Sequence, residues 1–432
     1  MAEEAQQELT EHEAAIYDRQ LRVWGVETQK RLSAARVLIA GLGGLAAEVA
    51  KNVVLAGVGS VTLCDDTPLA DRPPSNFLIH AADAATGRTV AEACVATLQE
   101  MNPFVTVSAL EGPPSAALAP EALAACDLLL LCGQPAGGVA AADAACRAAG
   151  KAFYAGDCRG VYGWAFADLA EHTFVQETKV EQEDGSSKTV CEERSERFAS
   201  WQDAVGASLQ GVSIKRLSKL YLLLRAAARY EQQHGRFPAA ADAHALRDAW
   251  AAEAAAAGVP ADALPGEQLD AYSAAPGDMP AINAVVGGVL ANELIKALGG
   301  KGEPINNFFL FSLAEGSGMV ERMAARLSGV VSIVFHIYPD RRAAESARTE
   351  LGGSHSSGGT MGKMPIRLKE VVYTLSPFEQ SVMNGLWKDL PHKAAHHMHN
   401  LRDAVIFCVA PVVGIGYYCA DYKEKEKQHH RY

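Results

Sequence analysis

The chain has 432 residues, 49% hydrophobic and 21% charged, with a formal net charge of -12 and a pI near 5.6. That length accommodates two to three domains, and the acidic balance argues against nucleic acid as the main partner. Its nine cysteines contain no C-x-x-C pair, which excludes the common zinc-ribbon spacing and points to free thiols in a reducing compartment.

The N-terminus, MAEEAQQELTEHEAA, is acidic and lacks an apolar stretch, so it reads as neither a secretory signal nor an Arg-rich transit peptide. Residues 1–13 are expected to be disordered. In AAIYDRQLRVWGVETQKRLSAARV, Ile16, Leu21, Trp24 and Leu32 stand among charges, as in a short helix packed on a domain. Arg19 and Arg22 would share one face of it, and the plain reading of such a pair is a solvated charged surface.

Residues 36–66, RVLIAGLGGLAAEVAKNVVLAGVGSVTLCDD, read as strand, glycine turn, helix and strand. Val37 to Ala40 form an apolar run suited to a strand buried on both faces. Gly41, Gly43 and Ala46 fit G-x-G-x-x-G/A, the spacing that permits a tight turn, close approach to a phosphate and close helix–strand packing. Asp65 ends the second strand about 20 residues beyond the turn, where a ribose-binding acid belongs. This is a Rossmann-like unit, and Gly41, Gly43 and Asp65 are its candidate cofactor-binding residues. Whether it still binds a nucleotide is a separate question.

Downstream, Pro73-Pro74 mark a loop, Gly87 to Met101 a helix and Val105 to Leu110 a strand. Leu128 to Cys132 reads as another buried strand, Ala140 to Ala149 as a helix, and Phe153-Tyr154 as the start of one more strand. Strands alternating with helices predict an α/β fold with an open, mostly parallel sheet. Residues 163–180 suggest paired strands and 181–188 a polar loop. Residues 200–265 are helical and alanine-rich, with an apolar stripe at Leu217, Leu220, Tyr221 and Leu224. Residues 276–299 make a helix with a small-residue face at Gly287 and Gly288, and Phe308 to Phe311 a late strand. The domain reading is a Rossmann-like domain over 14–180, a loop plus helical insertion over 181–275, and a return to the first domain over 276–326. A linker follows over 327–360.

The last segment, 361–432, has basic residues at its start and a charge-free run from Ala404 to Ala420. Seventeen residues sit at the lower edge of the about 17–25 that a membrane span needs. Tyr417 and Tyr418 fit an interfacial anchor. The competing reading is a buried core helix.

Residues 12–323 resemble the small subunits of SUMO-activating enzymes. The resemblance rests on YDRQLRVWG (17–25), AEVAKNVVLAGVGSVTLCD (47–65), NPFV (102–105), VVGGVLANELIKAL (285–298) and INNFFLF (305–311). It implies a ThiF-type adenylation fold and a heterodimer with a large catalytic subunit. That partner would hold ATP and Mg²⁺, the zinc-binding cysteines and the thioester-forming cysteine. This chain would meet SUMO only indirectly. It lacks four residues of the active half of such enzymes: Pro74 and Ser75 stand at the positions of an asparagine and an arginine, Val90 at that of a lysine, and Cys132-Gly133-Gln134-Pro135 replace the stretch with a metal-binding aspartate. By the resemblance its own nucleotide site is degenerate, it binds no cofactor or metal itself, and it is inactive alone. Arg19 would reach in trans to the phosphates of ATP in the partner's site, as its one catalytic residue. Among the cysteines, Cys64 and Cys132 look buried. Cys191 sits in a polar loop, but nothing around it suggests activation. A nicotinamide-dependent oxidoreductase, suggested by the glycine turn alone, leaves the other motifs unexplained.

Residues 361–432 resemble subunit eight of ubiquinol–cytochrome c reductase, mitochondrial complex III, which implies an accessory single-span subunit of electron transport. The two resemblances imply different compartments: the nucleus, with cytoplasm, for 1–326, and the mitochondrial inner membrane for 361–432 if made separately, with membrane contact through 404–420 only. Their union in one chain reads as a fusion of two neighbouring coding regions.

Overall fold

Three short helices, α1 (Glu11–Ile16), α2 (Asp18–Trp24) and α3 (Val26–Ala34), lead into the first strand. The computed structural model describes residues 11–71, 73–80, 87–181, 187–210, 212, 217–275, 277–323 and 330–336, with 423 and 425 near the C-terminus. The chain divides into two compact units, 1–353 and 354–432. The segment 361–432 with its span 404–420 therefore lies, but for Lys423 and Lys425, outside the described residues.

The first unit winds β1 (Arg36–Ala40), α4 (Gly44–Ala56), β2 (Ser60–Cys64), α5 (Val90–Met101), β3 (Thr106–Leu110), α6 (Pro120–Ala125), β4 (Leu128–Cys132), α7 (Ala136–Ala149) and β5 (Ala152–Arg159) into a parallel sheet. β1 pairs with both β2 and β4, and the order β3-β2-β1-β4-β5 reverses direction between β1 and β4. Such a reversal opens a crevice at the carboxyl ends of the strands. β6 (Tyr162–Asp168) turns back antiparallel on β5. The hairpin β7 (Glu171–Glu181) and β8 (Ser187–Arg197) forms a separate two-stranded sheet.

The helices α8 (Trp201–Val205), α9 (Lys219–His234), α10 (Ala243–Ala257) and α11 (Gly266–Ser273) follow, then α12 (Pro280–Gly299). β9 (Asn307–Ser312), β10 (Ser317–Met323) and β11 (Val330–His336) extend the sheet antiparallel beyond β6, giving nine strands. β11 begins inside the stretch that the sequence assigns to a linker. The apolar run VVSIVFH pairs along its length with β10, so the edge of the first unit lies further along the chain than residue 326.

Alternating strand residues feed two cores, one per face. Val37, Ile39, Leu128 and Leu130 pack with α4, α5 and α12. Leu38, Ala40, Leu129 and Leu131 share the other core with Trp201, Tyr221, Leu246 and Trp250. The alanine-rich helices at 200–265 are thus the cover of one sheet face, joined to it by Trp201 edge-on to Phe166 at 5.1 Å. A parallel sheet needs such cover on both faces, which is why the Leu128–Cys132 strand is buried throughout. Among the described residues α12 alone is long and apolar enough to cross a membrane. It packs along α4 instead, where a Cβ on Gly287 would come within 2.7 Å of Glu48 Cβ. Gly288 faces open space.

Candidate functional site

The glycine turn is tightly built. Gly41 has φ +80°, and a Cβ there would meet the carbonyl oxygen of Cys132 at 2.2 Å, so the ends of β1 and β4 approach only because this residue lacks a side chain. The Leu42 N–H donates to Asp65 Oδ2 at 2.6 Å and the Thr67 N–H to Asp65 Oδ1 at 3.0 Å. Asn76 Nδ2 donates to the Leu42 carbonyl at 2.9 Å. The buried Asp65 carboxylate therefore ties the turn, through one oxygen, to the segment beyond β2, held by the other. Gly43 precedes α4 in an extended conformation, with open space where its Cβ would be.

The first turn of α4, where a phosphate would sit on free N–H groups, has Asn283 and Ser75 packed beside Gly44, while Gly43, Gly44 and Leu45 also line an open cleft. A Cβ on Gly44 would lie 2.2 Å from Asn283 Nδ2 and 2.7 Å from Ser75 Oγ. Ser75 Oγ donates to Asp278 Oδ2 at 2.6 Å, and Asn283 Nδ2 donates to the same oxygen at 2.7 Å. Ser75 thus holds a carboxylate. Val90 is buried in the core behind the Thr89–Glu92 capping box of α5.

A cleft of about 220 Å³ remains at the strand ends, bounded by Gly43, Gly44, Asp157, Arg159, Phe237 and Asp278 among others. Burial, with the Asp278 charge adding to it, pushes the Asp157 carboxyl up to about 7. Arg159 is the one cation among the described residues lining the cleft. It is tied to the Tyr272 carbonyl at 3.1 Å and to the Pro238 carbonyl, and stacks over the Tyr272 ring. The cleft thus presents two acidic side chains, Asp157 and Asp278, and one guanidinium already engaged by carbonyls. Among the described residues no group of three or more His, Cys, Asp or Glu side chains could hold a metal ion.

Arg19 lies elsewhere. It is exposed on α2 and has no hydrogen bond or ion pair among the described residues, whereas Arg22 is bonded by Asp18 at 3.0 and 3.2 Å. The segment is anchored by Tyr17, 1% exposed, and by Gln20, whose Nε2 donates to the Leu55 carbonyl at 3.0 Å at the far end of α4. α4 has 13 residues, so Arg19 and the glycine turn belong to opposite ends of a strut roughly 18 Å long. Exposed Ile16, Val23 and Val26 flank Arg19 in sequence, Val23 at 75%.

The structure thus groups Gly41, Gly43 and Asp65 at one site and leaves Arg19 apart. Sequence reasoning missed Asp278 and Asn283. The only local signal was a Pro-Gly-Asp turn ahead of a helix, and nothing in it reveals a neighbour 203 residues away. Cys191 lies not in a loop but on β8, exposed and opposite Glu177, because the second arm of the hairpin starts at Ser187. Cys64 and Cys132 are buried, and burial pushes the Cys64 thiol up to about 11.

Residues 17–328 match the model of the ThiF family, and residues 361–432 match that of cytochrome b-c1 complex subunit 8. Among curated proteins, the chain is 35% identical over 327 residues to SUMO-activating enzyme subunit 1B-1 of Arabidopsis thaliana, covering 74% of this chain and 99% of that protein. It is 35% identical over 347 residues to SUMO-activating enzyme subunit 1 of Homo sapiens, covering 74% and 97%. The Rattus norvegicus subunit 1 is 36% identical over 341 residues, covering 72% and 95%.

Proposed function

Since the chain belongs to the ThiF family and, within it, to subunit 1 of the SUMO-activating enzymes, we propose that it completes the ATP site of a larger catalytic partner while its own glycine turn serves as scaffold. Adenylation of the SUMO C-terminus passes through in-line attack on the α-phosphate of ATP, which builds negative charge on phosphate oxygens. A permanently charged, planar guanidinium stabilises that charge by donating to those oxygens. Arg19 supplies it across the dimer. ATP and Mg²⁺ are held by the partner, which also carries the thioester cysteine.

What carries this reading is the contrast between the two ends of α4. Beside the N-terminal end, Asn283 and Ser75 hold an Asp278 carboxylate, the wrong charge to meet a polyphosphate directly. Beside the C-terminal end, roughly 18 Å away for a helix of 13 residues, stands an exposed arginine without a partner among the described residues.

The test is ATP–pyrophosphate exchange driven by SUMO. The isolated chain gives no exchange, and the chain with its large partner does. Arg19→Ala lowers the heterodimer's exchange rate by roughly 10²–10³ without changing its elution as a dimer. Exchange by the isolated chain would end the scaffold reading, and an undiminished rate in Arg19→Ala would end the trans reading. The setting proposed for this activity is the nucleus, with cytoplasm.

A second reading applies to residues 361–432 only. Their match to cytochrome b-c1 complex subunit 8 favours an accessory single-span subunit of the mitochondrial inner membrane, made separately from the first unit and sharing no mechanism with it.

A further inference from the structure

A helix leaves its last carbonyls without intrahelical partners. At the end of α4 three consecutive carbonyls each accept a side-chain amide. Asn102 Nδ2 donates to Val54 at 2.8 Å, Gln20 Nε2 to Leu55 at 3.0 Å and Gln29 Nε2 to Ala56 at 3.0 Å. Two of the three donors come from the N-terminal helices. Asn102 Nδ2 also donates to the Tyr17 hydroxyl at 2.8 Å. The Tyr17 ring lies against Gly57, where a Cβ would stand 2.5 Å from its hydroxyl end, and Gly57 is left-handed at φ +81°. Trp24 Nε1 closes the set by donating to Gln29 Oε1 at 2.9 Å.

The residues around Arg19 are therefore held, while Arg19 itself makes no hydrogen bond or ion pair among the described residues. Tyr17, two positions before it, is buried with its hydroxyl bonded, and Gln20, next to it, is bonded to α4. We propose that Tyr17 and Gln20 are positioning residues: by docking α2 on the carbonyl end of α4 they fix the orientation in which Arg19 is presented. The proposal rests on the reading of Arg19 as a group acting in trans. Its physical basis is that a flexible arginine gains little from a phosphate if its helix must be ordered at the moment of reaction. A misplacement of about 1 Å can lower a rate about 10²-fold.

The experiment is a double-mutant cycle on the reconstituted heterodimer, read as kcat and KM for ATP in pyrophosphate exchange. Gln20→Ala removes the amide that grips Leu55. Tyr17→Phe removes only the hydroxyl and keeps the ring on Gly57, so it remains informative if Gln20→Ala folds poorly. Gln20→Ala is expected to lower kcat about tenfold and Tyr17→Phe a few-fold, with the KM for ATP within about twofold. In an Arg19→Ala background neither change lowers kcat further, because there is no guanidinium left to place. A purely structural brace would instead give the same fold-loss in both backgrounds, and that result, or no loss in the Arg19 background, overturns the proposal. If Arg19→Ala alone leaves kcat unchanged, the reading of Arg19 fails first and the positioning role goes with it.

Discussion

Both oxygens of the Asp65 carboxylate accept backbone N–H groups, Leu42 in the glycine turn and Thr67 beyond β2. A ribose would have to compete with those bonds, and the side chain is 5% exposed. Its role at this scale is to hold the turn in which Gly41 adopts positive φ beneath the Cys132 carbonyl. Losing hydrogen bonds to a charged group costs about 1.5–3 kcal/mol. Asp65→Ala should lower the unfolding free energy of the chain by about that much, measured by urea titration, while ATP affinity of the heterodimer stays unchanged. A selective loss of ATP affinity with stability intact would restore Asp65 as a nucleotide ligand. That an acid would end β2 was legible in the sequence. Which way its oxygens face was not, because rotamer and partner depend on where the turn closes.

Among the elements, α7 and α9 are joined by a buried carboxylate. Glu231 of α9, 6% exposed, accepts the N–H of Ala136, the first residue of α7, at 2.8 Å. Burial pushes its carboxyl from an ordinary 4.5 up to about 8. The folded chain then retains this proton where the unfolded chain has lost it, so the contribution of Glu231 is full below pH 4.5 and declines as pH rises towards 8. The slope approaches about 1.4 kcal/mol per pH unit for one proton. Glu231→Gln keeps an oxygen for Ala136 and cannot ionise. Its urea midpoint should therefore fall less than that of the unsubstituted chain between pH 5 and pH 8, and equal slopes would rule this linkage out. The same pair of helices gives residues 200–265 their role as the second cover of the sheet. The apolar stripe of that region is visible in the sequence, but the surface that receives it is not.

For the whole molecule, the two units, 1–353 and 354–432, correspond to two family matches of unrelated function. If they come from neighbouring coding regions, a tryptic digest of native extract contains peptides from each but none crossing residues 320–365. One such crossing peptide would establish the fused chain as a real protein. The pairing of β11 with β10 places Val330 to His336 in the sheet of the first unit.

The sequence by itself determined the alternation of buried strands and helices, the glycine turn between β1 and α4, and the family. All of these are carried by neighbours in the chain, through periodicity, turn chemistry or contiguous motifs. Only the tertiary structure decided that Ser75 and Asp278, 203 residues apart, meet over the first turn of α4. It also decided that Asp65 braces the turn, that residues 200–265 cover one face of the sheet, and that Arg19 stands at the opposite end of α4 from the glycine turn. Those facts depend on long-range packing and on side-chain direction, which no local pattern specifies. They place the glycine turn at one end of a helical strut and an exposed arginine beside the other.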